Sequence, residues 1–346
     1  MPRWFYWGAY CVFASAVALV GCELVLRVLY QEPWYERLVD EQARNSNVGQ
    51  RESRAKAYGV RDQNYPAQKD SAARRLLILG DSFTFGAGVR DAEKIFPRII
   101  ERALSEDSGV PLVEVVEVMN GGIPGSYPAH WLELFDRVVD EFKPDLVVSV
   151  FFLRDGASNI NSIGSFFGPI RERVVARNAA SLPYRYSYIY RVLRDARDRR
   201  FVGRRYTRKL NLAYSGDESQ TEHWRVQQGH LREIFSKSRA RGIALGFVIF
   251  PVLADLDAAP YPFEGIRRVL TRFARSNDVR VFDLLDAFRG MHGPDLWVSA
   301  YDQHPNERAH AVAAEALIPF VRELLLDAEP GQGARSRSSR RRAARR

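Results

Sequence analysis

The spacing of apolar positions divides this chain into four stretches. Residues 4–21 carry no charge, and apolar residues continue to position 30 with only Glu23 and Arg27 interrupting. That stretch has no polar face and nearly reaches the ~20 residues needed to cross hydrocarbon, so residues 1–30 read as a membrane anchor or signal segment. Residues 31–73 are polar, mixed in sign and aperiodic, which reads as a linker and lead-in. From residue 74 to 326, short apolar bursts alternate with amphipathic stretches. The bursts at 76–79, 113–118, 145–152, 242–250 and 279–285 predict strands. The stretches 91–106, 127–142 and 306–326 predict helices, the second with apolar residues at 131, 132, 135, 138 and 139. Near-continuous apolar runs suit a parallel sheet covered on both faces. The predicted fold is therefore α/β, a doubly wound three-layer sandwich around a mainly parallel five-stranded sheet.

Residues 156–218 break this rhythm. Between 184 and 210 stand ten basic residues and two aspartates, interleaved with tyrosines. The stretch reads as a basic insertion: a lid, a surface for anionic membrane or polysaccharide, or arginines in solvent above packed tyrosines. The net charge of +9 has a different source. Residues 331–346 hold seven arginines and no acid, leaving +2 for the rest. Residues 327–346 lack apolar content and are expected to be a disordered Arg-rich tail. No folded nucleic-acid motif accompanies it, so no specific nucleic-acid partner is expected. Cys11 and Cys22 are the only cysteines, which excludes a disulfide framework and a cysteine zinc site.

The amino terminus admits three readings. A retained anchor would place Trp4, Tyr6 and Trp7 at the membrane interface, with Arg3 favouring a cytoplasmic start. "LVGC" at 19–22 resembles a bacterial lipobox, which would make Cys22 the lipidated first residue; "ASA" at 14–16 is a candidate cleavage site. The apolar residues after Cys22 favour the anchor over a lipoprotein tether. All three readings put the body of the chain outside the cytoplasmic membrane.

Polar residues gather where the predicted strands end. Gly80-Asp81-Ser82 follows the first, "NGGIPGSYP" (120–128) the second, "LRDGASN" (153–159) the third, and "YDQHPNERAH" (301–310) precedes the last helix. In a parallel sheet these ends share one edge, so Ser82, Gly125, Arg154 and His304 can converge. Acyl transfer to serine needs that set: a nucleophile, a base, a carboxylate to fix the base, and donors for the oxyanion. Ser82 as a mere helix cap is the simpler alternative.

"GDSFTFG", "NGGIPG" and "DQHPN", in that order, resemble the first, second and last sequence blocks of the SGNH (GDSL-type) hydrolases, a serine esterase and acyltransferase superfamily. The resemblance spans about residues 74–326 and implies a flavodoxin-like sheet. It further implies Ser82 as nucleophile and first oxyanion donor, Gly125 as second donor and His304 as general base. Two departures stand out. Arg154 occupies the place of the family's third donor, an asparagine, and could instead pair with Asp155. The aspartate expected three residues before His304 is Tyr301, which leaves Asp302, with Asp295 in reserve or a Ser–His dyad. Residues two apart on an extended segment share a face, which favours Asp302.

His130, His223, His230, His292 and His310 show no metal-ligand spacing and read as surface or packing residues. No phosphate loop or dinucleotide fingerprint occurs, and no cofactor or metal is expected. The expected function is a membrane-anchored extracytoplasmic serine esterase acting on an ester or acylated glycan through an acyl-Ser82 intermediate. The alternatives are an O-acetyltransferase on a cell-surface glycan, a catalytically weak glycan-binding relative, and a membrane-surface scaffold.

Overall fold

The computed structural model describes residues 3–327 except 31, 38–39, 41–60, 62–64, 67, 107–114 and 158–162. The tail and most of the expected lead-in lie outside the described residues. The chain divides into two compact units, one of residues 1–40 with 163–208 and a larger one of 41–162 with 209–346.

In the larger unit, five strands form one parallel sheet in the order β2-β1-β3-β4-β5: β1 Ala73–Gly80, β2 Val115–Gly122, β3 Leu146–Phe152, β4 Ala244–Phe250 and β5 Arg280–Asp283. Helix numbering runs in chain order from α1, Arg3–Leu29, in the smaller unit. The one-turn helix α2 (Ser82–Phe85) and α3 (Phe96–Glu106) follow β1, and α4 (Pro128–Phe142) follows β2. In the smaller unit lie α5 (Ile163–Ala180), α6 (Leu182–Tyr186) and most of α7 (Tyr188–Ser215). The larger unit resumes with α8 (Glu218–Ala240), α9 (Glu264–Ser276), the one-turn α10 (Leu285–Phe288) and the closing α11 (Glu307–Asp327).

Every side chain of β3 is buried, as expected of a strand covered on both faces. On one face, Trp131 of α4, Trp224 and Phe235 of α8, and Phe273 of α9 form edge-on and tilted contacts around Phe151 and Phe247. On the other, α11 lays Phe320 and Leu324 over Gly246. Switching from β2 back across β1 to β3 opens a crevice at the C-terminal ends of β1 and β3, where such sheets hold their ligands.

Three details depart from the sequence reading. Asn120, Gly121 and Gly122 belong to β2, paired with Ile78, Leu79 and Gly80, so the turn begins only at Ile123. In α4 it is Leu134, not Leu132, that joins the buried stripe. The helix predicted at 91–106 becomes regular only from Phe96. Gly122 has a steric reason: a Cβ there would lie 2.2 Å from the Phe85 backbone nitrogen.

In the smaller unit, Tyr30 and Tyr184 both donate to the buried Asp195 (2.7 and 3.0 Å). Arg171 pairs with Glu36 and Arg177 with Asp198. The helix α1 is long and apolar enough to cross a membrane.

Two outcomes are expected. Gly122→Ala should cost about 1–3 kcal/mol through overpacking against α2, read by chemical denaturation. His310 of α11 is fully buried, and its Nδ1 accepts from the Phe96 N–H at 3.3 Å. Burial, with Arg61 and His304 adding, pushes its imidazole down from 6.5 to about 3. Below pH 6.5 the unfolded chain takes a proton there that the folded chain refuses, so stability falls as pH falls towards the folded value. From pH 7 to 5 this group should cost about 2 kcal/mol. Denaturation of His310→Asn at both pH values should show a shallower loss by that amount.

Candidate active site

Ser82 opens α2 directly beyond β1. The preceding Asp81 caps that turn, its Oδ1 accepting from the Phe83 N–H at 2.9 Å. A serine fixed at the head of a capped turn has a defined direction rather than a loop's freedom. Its side chain points at the short antiparallel pair β6 (Trp297–Ser299) and β7 (Asp302–Pro305).

The strand β7 carries both partners of Ser82. His304 Nε2 stands 3.0 Å from Ser82 Oγ, and His304 Nδ1 stands 2.6 Å from Asp302 Oδ1. Asp302 and His304 share a strand face because they are two apart, which is how the chain manages without an acid at position 301. Asp302 is fully buried and Ser82 nearly so, while 19% of the His304 side chain remains exposed, so a substrate has a route to the imidazole edge. Asp302 Oδ1 also accepts from the His304 backbone N–H (3.2 Å). Asn306 binds the carbonyls of Asp295 and Trp297 and caps α11 through the Ala309 N–H, tying this hairpin to the helix behind it. Asp295, the reserve acid, is instead an exposed partner of His292 (3.3 Å).

Gly125 lies in the turn between β2 and α4 at φ +75°, a conformation that glycine adopts without strain. The turn is anchored beside it: Ser126 Oγ donates to the Gly80 carbonyl (3.2 Å) and accepts from Trp131 Nε1 (2.8 Å). Tyr127 then meets His130 and His223 edge-on, at 4.3 and 5.2 Å between ring centres. Burial lowers the His223 imidazole.

The third loop differs from the simple alternative raised by the sequence. Arg154 pairs with Asp81 (Nη2 to Oδ2, 3.4 Å) rather than Asp155, and its guanidinium lies 5.5 Å above the Phe152 ring. Asp155 turns back to accept from the Phe152 N–H at 2.8 Å. Two buried carboxylates thus flank one cation. Burial pushes both carboxyls up, Asp155 further because it also faces Asp81, while Arg154 opposes the rise in each.

Two supporting residues carried no recognisable signal in the sequence. Tyr214, at the end of α7, donates to the Leu153 carbonyl (2.6 Å) and accepts from the Gly156 N–H (3.1 Å), so it clasps the turn that presents Arg154. Phe83 stacks on Phe152 at 4.0 Å and stands 5.5 Å from the His304 ring, filling the space behind that imidazole. Neither role has a spacing rule, because each depends on a contact between distant elements. Among the described residues no cluster of histidine, cysteine and carboxylates is arranged to hold a metal ion.

The chain matches the model of the GDSL-like lipase/acylhydrolase family over residues 78–312. No curated protein matches it in sequence. Among solved structures, it is similar to a lipase/acylhydrolase from Enterococcus faecalis at 16% identity, covering 72% of this chain and 96% of that one with a TM-score of 0.42. An acetylxylan esterase from Geobacillus stearothermophilus, solved as a catalytic mutant, gives 15% identity, coverage of 72% and 94%, and a TM-score of 0.44. An esterase from the psychrotroph Pseudoalteromonas sp. gives 14%, 73% and 98%, and 0.41. Because the family match runs from within β1 into α11 and takes in the whole Ser82–His304–Asp302 chain of hydrogen bonds, this protein belongs to the GDSL-like lipase/acylhydrolase family and is a serine ester hydrolase.

Proposed function

We propose that Ser82 is the nucleophile, His304 the general base and Asp302 the acid of an esterase anchored in a membrane by α1, with its catalytic unit on the extracytoplasmic side. The supporting observation is the continuous hydrogen-bond chain from Asp302 through His304 to Ser82, at 2.6 and 3.0 Å. His304 Nε2 takes the Ser82 proton as Oγ attacks the ester carbonyl. Asp302 holds the Nδ1–H tautomer and stabilises the imidazolium that forms. The imidazolium then protonates the departing alkoxide, leaving an acyl group on Ser82. Water, deprotonated by the same imidazole, attacks that acyl group, and the imidazolium returns the proton to Ser82 Oγ as the acid departs.

The tetrahedral oxyanion would be met by the backbone N–H groups of Ser82 and Gly125 and by Arg154. Among the described residues, the Arg154 side chain makes one hydrogen bond, to Asp81, so further guanidinium donors are available to a substrate. Its charge adds to the stabilisation that an asparagine would give. The anchor reading rests on the uncharged run of α1 with Arg3 before it. Glu23 extends that support, because it is bonded to backbone N–H groups of α7 rather than released as the start of a polar tether.

The test is hydrolysis of p-nitrophenyl acetate and butyrate by the full chain in detergent. Ser82→Ala should lower the rate by about a thousand-fold or more, with the fold intact by circular dichroism. Equal rates in both proteins would reject the nucleophile. A second comparison isolates Arg154. Arg154→Ala should lower kcat about a hundred-fold with KM little changed, the loss expected for one oxyanion donor. Arg154→Asn, which keeps a donor but not the charge facing Asp81, should retain most of the activity. Equal losses in the two variants would show that Arg154 serves to neutralise Asp81 instead.

A further inference from the structure

We infer that α6 and the 188–208 part of α7 form a docking surface for the anionic phospholipid headgroups of the membrane. The inference takes the proposed anchor as its starting point. The uncharged run of α1 ends at Cys22, and 19 residues from Trp4 span about 28 Å, the thickness of the hydrocarbon layer. The next residue, Glu23, fixes what lies at the headgroup level. Its carboxylate accepts from the N–H groups of Tyr188 (2.8 Å) and Ile189 (3.1 Å) and from Ser187 Oγ (3.1 Å), capping the start of α7. One turn on, Arg27 donates to the Tyr186 carbonyl at 3.0 Å. The start of α7 is therefore held where the uncharged run of α1 stops.

From there α7 shows a reversed distribution of polarity. Its acids face inward: Asp195 and Asp198 are buried, the first on Tyr30 and Tyr184, the second on Arg177. Leu193, Arg197, Arg200 and Arg204 follow one another at helical spacing along the opposite, exposed face, which contains no acid. These three arginines have no ion pair with any described residue. Between and beside them, Leu193 is 65% exposed and Phe201 53%, while α6 adds Leu182 at 63% and Tyr186 at 66%. Exposed apolar side chains among unpaired arginines are the pattern of a helix lying in a membrane interface. Each arginine near an anionic surface adds to binding, and its stem reaches along the apolar layer. An acidic polysaccharide would answer the arginines but leave Leu182, Leu193 and Phe201 without a counterpart, so lipid is the better match.

The test uses the full chain with Cys11 and Cys22 replaced by alanine, reconstituted in nanodiscs of phosphatidylcholine with and without phosphatidylglycerol. A nitroxide placed by Leu193→Cys reports docking and a second, by Val17→Cys, reports the anchor. Collision with oxygen against a water-soluble nickel complex gives the depth of each. The label at 193 is expected to shift from nickel-dominated to oxygen-dominated collision when phosphatidylglycerol is present. The triple change Arg197→Glu, Arg200→Glu and Arg204→Glu should return it to water, with the label at 17 and ester hydrolysis unaffected. A label at 193 that stays in water while 17 lies in hydrocarbon overturns docking alone. A label at 17 in water with 193 at the interface overturns the anchor and upholds docking, and both in water overturns both. Immobilisation at 193 by an acidic polysaccharide and not by anionic discs also overturns it, in favour of a glycan.

Discussion

The hydrogen bond between His304 and Ser82 joins residues 222 apart in sequence, and most of the larger unit is arranged so that it can form. A parallel sheet puts the ends of β1, β2 and β3 on one edge, but it does not bring the last helix there. That task falls to the β6–β7 hairpin, which lifts His304 over Phe83 and is held by Asn306 and by Trp297, whose Nε1 donates to the Leu253 carbonyl at 2.6 Å. Loosening any of these would lengthen a 3.0 Å contact whose value depends on tenths of an ångström. The aromatic packing around Phe151 and the close approach at Gly122 serve the same end, fixing the strand termini from which the loops start.

The second constraint is electrostatic. Asp81 is needed as the cap of the turn that carries Ser82, and it is buried beside a further buried acid, Asp155. Arg154 stands against both. Burying charge without a partner is costly, so an arginine at position 154 balances a pair of acids as well as offering donors. In the proposed mechanism, position 154 thus links the stability of the turn that carries Ser82 to the stabilisation of an oxyanion. The Arg154→Asn and Arg154→Ala comparison separates these two contributions.

How much of this was legible depended on the kind of signal. The strands were visible because parallel strands buried on both faces are runs of apolar residues, as in Leu76–Leu79 and 145–152. The placement of Asp302 was visible because period two is a property of any extended segment. The end of β2 was not, since Asn120-Gly121-Gly122 has turn composition and is held in the sheet only by its pairing with β1. Leu134 rather than Leu132 entered the core because the helix rotates to fit its neighbours, which periodicity alone does not set. The Arg154–Asp81 pair, the Tyr214 clasp and the Glu23 cap each join segments far apart in the chain, and local pattern carries no information about them. The insertion's charge was plain in the sequence; that its aspartates face inward while Leu182, Leu193 and Phe201 face outward was not.

The most direct measurement is labelling of the full chain with a fluorophosphonate, followed by mass spectrometry of its peptides. One adduct is expected, on the peptide that carries Ser82, forming at a rate that drops sharply in His304→Ala. No adduct from a correctly folded chain, or one on a different serine, would contradict a nucleophile at Ser82 activated by His304.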